Sequence, residues 1–221
     1  MIFQENLTSK CLQKESHKIL KRFKNSKKIL EVGCGDGNIS NFLIKNHKKM
    51  NNFFHLSDIS KQAINIAKKK LKYKKTIFKV GAWLDPWLKQ NEKFDVIISD
   101  VSSINDTVAN LSPWYNGIAC DSGEDGLRNI KKILMDIDSI LKKNSIFILP
   151  IISLCNTQKL NSFLIKKFNV RYSEKLIWPL PPFFIENLKI MKKLKNKKNI
   201  SFNRNFNIYT AYTRVAICKK K

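Results

Sequence analysis

The chain has 221 residues, 43% of them hydrophobic, with 42 Lys and Arg against 17 Asp and Glu, for a formal charge of +25. That apolar content builds a core and excludes a disordered chain, and the length suits one substantial α/β domain, with or without a small appendage. The longest apolar run, Ile146 to Leu154, contains Pro150 and is too short to span a bilayer, and no basic start leads into an apolar stretch, so a soluble, cytoplasmic protein without a membrane partner is expected.

Leu7 to Phe23 carries apolar positions near helical spacing and predicts a leading helix, so residues 1–27 form an N-terminal helical segment ahead of a domain over 28–221. Lys28 to Val32 is a β-rich run that stops at glycines, and Ile39, Phe42, Leu43 and Ile44 then recur at helical spacing. Phe53 to Ser57 predicts a second strand ending at Asp58, and Ser60 is placed to cap a helix carrying Ala63, Ile64, Ile66, Ala67 and Leu71. Thr76 to Val80 and Phe94 to Ser99 predict the third and fourth strands, and a long polar and aromatic loop follows from Asp100 to Ser122. Glu124 to Leu141 reads as a helix, Ser145 to Ile152 as a fifth strand, and Asn156 to Phe168 as a helix capped by Asn156 or Thr157. Two strands, Val170 to Trp178 and Tyr209 to Ile217, end the chain, and the Lys- and Asn-rich stretch from Leu188 to Asn205 is a solvated loop or a basic arm. Strands alternating with helices imply a parallel sheet with right-handed crossovers, and two closing strands suit an antiparallel hairpin at its edge.

The charge has two readings. One is a polyanionic partner, RNA or a ribosomal particle, and thus an association with translation. The other is coding composition, because Lys, Asn, Ile and Phe are abundant throughout and Arg is scarce. Five scattered cysteines without a Cys-x-x-Cys pair read as reduced thiols, and no metal site is expected. His17, His47 and His55 have no acidic partner near them in sequence and read as structural or surface residues.

Gly33, Gly35 and Gly37 follow the first strand directly and precede a helix. Glycine lets a ligand approach the backbone closely, and ligands of open α/β sheets lie beyond the carboxyl ends of the strands. Asp58 ends the second strand about 20 residues on, the spacing at which an acid reaches ribose hydroxyls. Dinucleotide binders use Gly-x-Gly-x-x-Gly, so this spacing disfavours a nicotinamide-dependent oxidoreductase.

Glu31-x-Gly33-x-Gly35-x-Gly37 resembles the first motif of class I S-adenosylmethionine-dependent methyltransferases, and the resemblance runs from about Lys28 to Ile152. It implies a Rossmann-like, seven-stranded α/β sheet, mostly parallel with an antiparallel edge hairpin and helices on both faces. It also implies S-adenosyl-L-methionine as cofactor, Glu31 orienting its methionine end, the glycine loop against its amino acid part and ribose, and Asp58 on the ribose. Ala82 stands where the family often has an adenine-contacting Asp, which leaves backbone contact at Ala82 and stacking by Trp83. For Trp83 and Trp87, packing and ligand contact are both open.

Ser122-Gly123-Glu124-Asp125-Gly126-Leu127 is similar to a segment of the release-factor glutamine methyltransferases and their ribosomal-protein relatives. Phe94 to Ser99 matches the strand leading to that family's Asn-Pro-Pro-Tyr motif, whose places are held here by Asp100, Val101, Ser102 and Ser103. The resemblance gives Asp100 the catalytic task of accepting a hydrogen bond from the acceptor nitrogen. Ser103 cannot stack, which leaves Trp114 or Tyr115 to fold back, and Trp178 to Phe184 either walls a substrate cleft or joins the late strands. Glu124 and Asp125 read as charges at a helix N-terminus. The expectation is methyl transfer to nitrogen on a protein, at a glutamine-like amide, or on RNA. The alternative is a catalytically degenerate RNA-binding protein on the same scaffold.

Overall fold

The computed structural model describes residues 6–89, 92–115 and 120–221; residues 1–5 of the N-terminal segment and 116–119 of the loop after the fourth strand lie outside it. The elements in order are α1 (Leu7–Leu20), β1 (Lys28–Val32), α2 (Asn38–Asn46), β2 (Phe53–Asp58), α3 (Lys61–Lys70), β3 (Thr76–Val80), α4 (Asp85–Leu88) and β4 (Phe94–Ser99). Then come α5 (Asp106–Leu111), α6 (Arg128–Ile140), β5 (Leu141–Ile152), α7 (Thr157–Lys167), β6 (Phe168–Tyr172), β7 (Leu176–Pro179), α8 (Pro182–Glu186), α9 (Leu188–Asn196), β8 (Asn203–Asn205) and β9 (Ile208–Lys220).

The sheet runs β3-β2-β1-β4-β5-β9-β6. β1 to β5 are mutually parallel, and β9 lies antiparallel between β5 and β6. The expected mostly parallel sheet with an antiparallel edge is therefore present. Its main path has seven strands, and β7 and β8 add two more by pairing with β9. The order reverses between β1 and β4, which opens a crevice at their carboxyl ends, where α/β sheets take ligands.

Helices cover both faces. Leu12, Ile19 and Leu20 of α1 pack with Ile39 and Leu43 of α2, Ile64 of α3 and Ile29 of β1. Ile130, Ile133 and Ile137 of α6, with Leu160 and Leu164 of α7, bury the other face over Leu30, Ile97 and Phe147. Their spacing of three to four residues puts each set on one stripe of its helix. A third cluster joins Val108 of α5 to Phe184 of α8, Met191 of α9 and Ala211 of β9.

Four expectations change, the first being that the run from Val170 to Trp178 divides into β6 and β7. The loop from Asp100 contains α5, begun where the Asn105 side chain accepts from Val108 N–H. The helix expected from Glu124 begins at Arg128, because Gly126 stands at φ 71 and interrupts it. Of the two readings of the Lys-rich stretch between the closing strands, the solvated loop gives way to the basic arm, which is built of α9 and β8. The five cysteines are unpaired thiols. Among the described residues no helix is long and apolar enough to cross a membrane.

Candidate active site

The loop after β1 turns through three glycines at positive φ, 72° for Gly33, 52° for Gly35 and 77° for Gly37. They do different jobs. A Cβ at Gly33 would stand 3.0 Å from Val101 Cγ1 and 3.2 Å from the Val101 backbone, so glycine lets the loop lie against the chain leaving β4. Gly35 donates its N–H to Asp58 Oδ2 at 2.9 Å, which ties the loop to the end of β2. Gly37 lies apart from the cleft. A Cβ there would come within 2.6 Å of Leu71 Cδ1 and 3.2 Å of Ala67 Cβ, so its role is close packing of the α2 entry on α3. Of the three glycines expected at the cofactor, Gly33 and Gly35 line the cleft and Gly37 does not.

A cleft of about 930 Å³ opens at the carboxyl ends of β1 and β4. Glu31, Gly33, Gly35, Asp58, Ala82, Trp83 and Asp100 all line it. Glu31 is 1% exposed. Its Oε2 accepts from Ser40 N–H at 3.0 Å and from the Ser40 hydroxyl, and among the described residues its Oε1 has no partner. Burial raises the Glu31 carboxyl to about 8; the Ser40 hydroxyl opposes the rise and the charge of Asp100 adds to it. Asp58 Oδ1 accepts from Ser60 N–H at 2.8 Å, so both oxygens are oriented by backbone donors, with lone pairs left for hydroxyls in the cleft.

The two tryptophans after β3 separate. Trp87 is fully buried, and its indole N–H reaches Ser57 Oγ at 3.0 Å. Trp83 lines the cleft at φ 45, a left-handed backbone that a bulky side chain disfavours. Its Nε1 donates to Asn129 Oδ1 at 3.1 Å, and Lys132 Nζ lies 5.8 Å from its ring centre. Asn129 in turn donates to Ser102 O and approaches Ser122 Oγ, both at 3.2 Å, so α6 braces the loops after β3 and β4 together.

Asp100 follows β4, and its N–H is held by Val32 O at 3.0 Å. Its Oδ2 accepts from Ser9 Oγ at 2.7 Å. Ser103, in the place of the family's stacking aromatic, is buried and donates to Gly126 O at 3.0 Å. The 123–127 turn is thus a brace: a Cβ at Gly126 would meet Cys155 Cβ at 2.7 Å and the Asn105 N at 2.8 Å. Asp125 accepts from Leu127 N–H and pairs with Lys131 and Lys159, which fits the expected charge at the start of α6. Aromatic surface comes from elsewhere. Trp114, Tyr115 and Trp178 line the cleft, with Trp114 and Trp178 ring centres 6.1 Å apart, so the Trp178 segment does wall it. Burial raises the Tyr115 phenol, with Cys120 and Asp100 adding to the rise.

Sequence reasoning missed the first turn of α1. Asn6 caps that helix by accepting from Ser9 N–H, and residues 6–9 line the cleft, with Ser9 against Asp100 at the end of β4. The Asn-x-x-Ser spacing signals a cap, but nothing local signals that Ser9 meets a residue 91 positions away. It also missed Ser40 and Asn129. The histidines stand outside this cleft: His17 Nδ1 lies 2.8 Å from His47 Nε2, and His55 lies 3.2 Å from Glu92.

The family model described as a methyltransferase domain matches residues 23–177, well over half of the chain. No curated protein matches. Among solved structures, the ribosomal protein L11 methylase of Lactobacillus delbrueckii subsp. bulgaricus is similar at 14% identity and TM-score 0.57, over 100% of this chain and 82% of that one. A putative ribosomal RNA methyltransferase of Plasmodium falciparum gives 16% identity and TM-score 0.53, over 98% of each chain. The plantazolicin methyltransferase BpumL, in complex with SAH, gives 14% and 0.53, over 96% of this chain and 83% of that one. At such identities the structures speak for the fold. The cofactor that goes with the domain is S-adenosylmethionine, and the cleft fits it: the orphaned Glu31 Oε1 suits an ammonium, Asp58 suits ribose hydroxyls, and the backbone at Gly33 and Gly35 has no side chain in the way. The chain belongs to the methyltransferase-domain family and is a class I S-adenosylmethionine-dependent methyltransferase.

Proposed function

We propose that this enzyme methylates a nitrogen of a planar group, a glutamine-like amide of a protein or a base of RNA, and that Asp100 orients it. The observation that carries the proposal is the Asp100 carboxylate beside the cofactor loop, one oxygen held by Ser9 at 2.7 Å, facing the cleft that Trp114, Tyr115 and Trp178 line. S-adenosylmethionine, when bound, supplies an electrophilic methyl group. Asp100 accepts the acceptor's N–H and so fixes where the nitrogen lone pair points, and its carboxylate takes that proton, for release to solvent, as the nitrogen gains the methyl. Orientation of this kind accounts for a large part of such rate enhancements. The tryptophans and Tyr115 offer the planar contact that Ser103 lacks. The Gly123 to Leu127 turn and the frame of β4 support kinship with the glutamine N5-methyltransferases, while the +25 charge supports an RNA acceptor in translation.

The test uses methyl-labelled cofactor, the purified protein and a lysate lacking its gene product. Label that enters macromolecules with wild type and not with Asp100→Ala supports the proposal. Its loss to protease identifies a protein acceptor and its loss to nuclease an RNA. Equal labelling by both proteins overturns the role of Asp100. The replaced Asn-Pro-Pro-Tyr residues favour one rival, a degenerate RNA-binding protein, which predicts salt-dependent RNA binding with no transfer at all.

A further inference from the structure

Residues 182–207, between β7 and β9, form an arm of α8, α9 and β8 whose features the methyl-transfer site does not use. Its own small core joins Phe184, Met191, Ile200 and Phe202 to Val108 of α5. The arm is mounted on the cleft wall, because Trp114 meets Phe183 at 5.4 Å and Phe184 at 5.8 Å, edge to face. β9 pairs with the end of β5 at Thr213, and its upstream residues run on past the carboxyl edge of the sheet. Thr210 pairs with both Pro179 and Asn203, so β8 takes the edge of β9 that β5 vacates, on the side of the cleft.

The outer surface of the arm is cationic. It holds Lys189, Lys192, Lys193, Lys195, Lys197 and Lys198, with Arg204, against the single acid Glu186. All six lysines are exposed. Among the described residues none pairs with a carboxylate, whereas Lys70, Lys131, Lys142, Lys159 and Lys167 elsewhere do. At the tip, Asn205 pairs with Ile208 around a two-residue turn of Phe206 at φ 47 and Asn207 at φ 63. Such turns favour Asn-Gly. A phenylalanine there is strained, and at 99% exposure no burial offsets the strain. An exposed, strained residue points to a role outside the fold. The tip lies four residues beyond Thr210, about 13 Å past the cleft wall at strand rise.

Cations that track a phosphate backbone and an aromatic face for bases together recognise single-stranded nucleic acid. We propose that the 182–207 arm docks an unpaired segment of RNA and leads it to the cleft, with the lysines on phosphates and Phe206 stacked on a base. This rests on the methyltransferase reading for the acceptor's destination, but the docking itself needs no turnover.

The test is fluorescence anisotropy with a labelled, unstructured 20-nucleotide RNA and a duplex RNA of equal length, using full-length protein across a salt series. One variant carries Lys189→Gln, Lys192→Gln, Lys193→Gln and Lys197→Gln; Lys195 is kept because it donates to Phe202 O. A control removes equal charge from the opposite end of the sheet, with Lys68→Gln, Lys69→Gln, Lys72→Gln and Lys74→Gln. The arm variant should lose about tenfold or more in affinity for the unpaired RNA, with a salt slope shallower by roughly 2 to 3. The control should stay within about threefold of wild type. Phe206→Ala should lose about tenfold with the slope unchanged, and the duplex should bind more weakly than the unpaired RNA. Equal losses in arm variant and control, an inert Phe206→Ala, a duplex bound as well as the unpaired RNA, or tighter binding to polyglutamate than to RNA would each overturn the proposal. Cofactor affinity is measured in every variant: intact cofactor binding without arm-dependent RNA binding sinks this inference alone, and arm-dependent RNA binding without cofactor binding sinks the methyltransferase reading alone.

Discussion

Protonation of Glu31 should be coupled to cofactor binding. Its carboxyl is buried, raised to about 8 from an ordinary value of 4.5, and one oxygen has no partner among the described residues. In the free protein at pH 7 it therefore holds a proton. An ammonium placed beside it favours the carboxylate, so binding releases close to one proton. Affinity should rise with pH between 5.5 and 7.5 by up to about tenfold per unit, the ratio set by one proton per site. The sign for the free protein is opposite. A raised carboxyl stabilises the fold while protonated, so stability falls as pH climbs from about 4.5 towards 8, by roughly 1.4 kcal/mol per unit at most, and then levels. Calorimetry of cofactor binding in Tris and in phosphate measures the proton directly, because the two buffers differ in ionisation enthalpy. Glu31→Gln should abolish the buffer dependence contributed by this site, weaken binding, and flatten the fall in melting temperature with pH. Identical enthalpies in both buffers with wild type, together with an affinity flat from pH 5.5 to 7.5, would refute the reasoning.

Three further outcomes follow from particular contacts. Gly37→Ala forces a Cβ against Leu71 and Ala67 at a positive φ, so it should cost about 1–3 kcal/mol and lower Tm by roughly 2–12 °C, with cofactor affinity of the folded protein unchanged; a large loss of affinity at unchanged Tm would return Gly37 to the cofactor site. Ser9→Ala removes the hydroxyl that donates to Asp100 Oδ2 and should lower kcat about tenfold while cofactor affinity holds, as expected for a charge-assisted hydrogen bond of about 1.5–3 kcal/mol partly replaced by water; unchanged kcat would remove Ser9 from the positioning of Asp100. Gly126→Ala collides with Cys155 and Asn105 and should destabilise the protein by at least 1–3 kcal/mol in thermal melts, against no change if the 123–127 turn faces solvent.

The sequence was most legible where local chemistry and chain order agree. β1 to β4 fall within a residue of their expected bounds because each is a short β-rich run stopped by glycine, Asp or a polar turn. Ser60 caps α3 as its hydroxyl chemistry dictates. The loop glycines announced the cofactor, but which of them lines the cleft depends on Leu71, 34 residues from Gly37, and that contact has no local signature. α9 was hidden because lysines dominate its sequence while one narrow stripe packs inward, Met191 buried with Leu188 and Leu194 half-buried three residues to either side. The run expected as one strand from Val170 to Trp178 is β6 and β7, broken where Ser173 Oγ accepts from Val215 N–H. At the acceptor end, Asp100 was legible by resemblance. Trp114 and the Trp178 segment were legible only as alternatives, and the Ser9 partner of Asp100 was not legible at all, since these groups come together only when α1, the 113–115 turn and β7 converge on one cleft.

We propose that the loop from Glu31 to Gly35, with Asp58, holds S-adenosylmethionine. Gly35 stands in the cleft and donates to Asp58, so Gly35→Asp sets a second carboxylate against that one where the cofactor must approach the backbone. Isothermal titration of the cofactor into wild type and Gly35→Asp, beside circular dichroism of both, is the most direct test. Saturable binding by wild type, at least 100-fold weaker in a variant with an unchanged spectrum, is the predicted result; equal affinity in the two proteins would contradict the account.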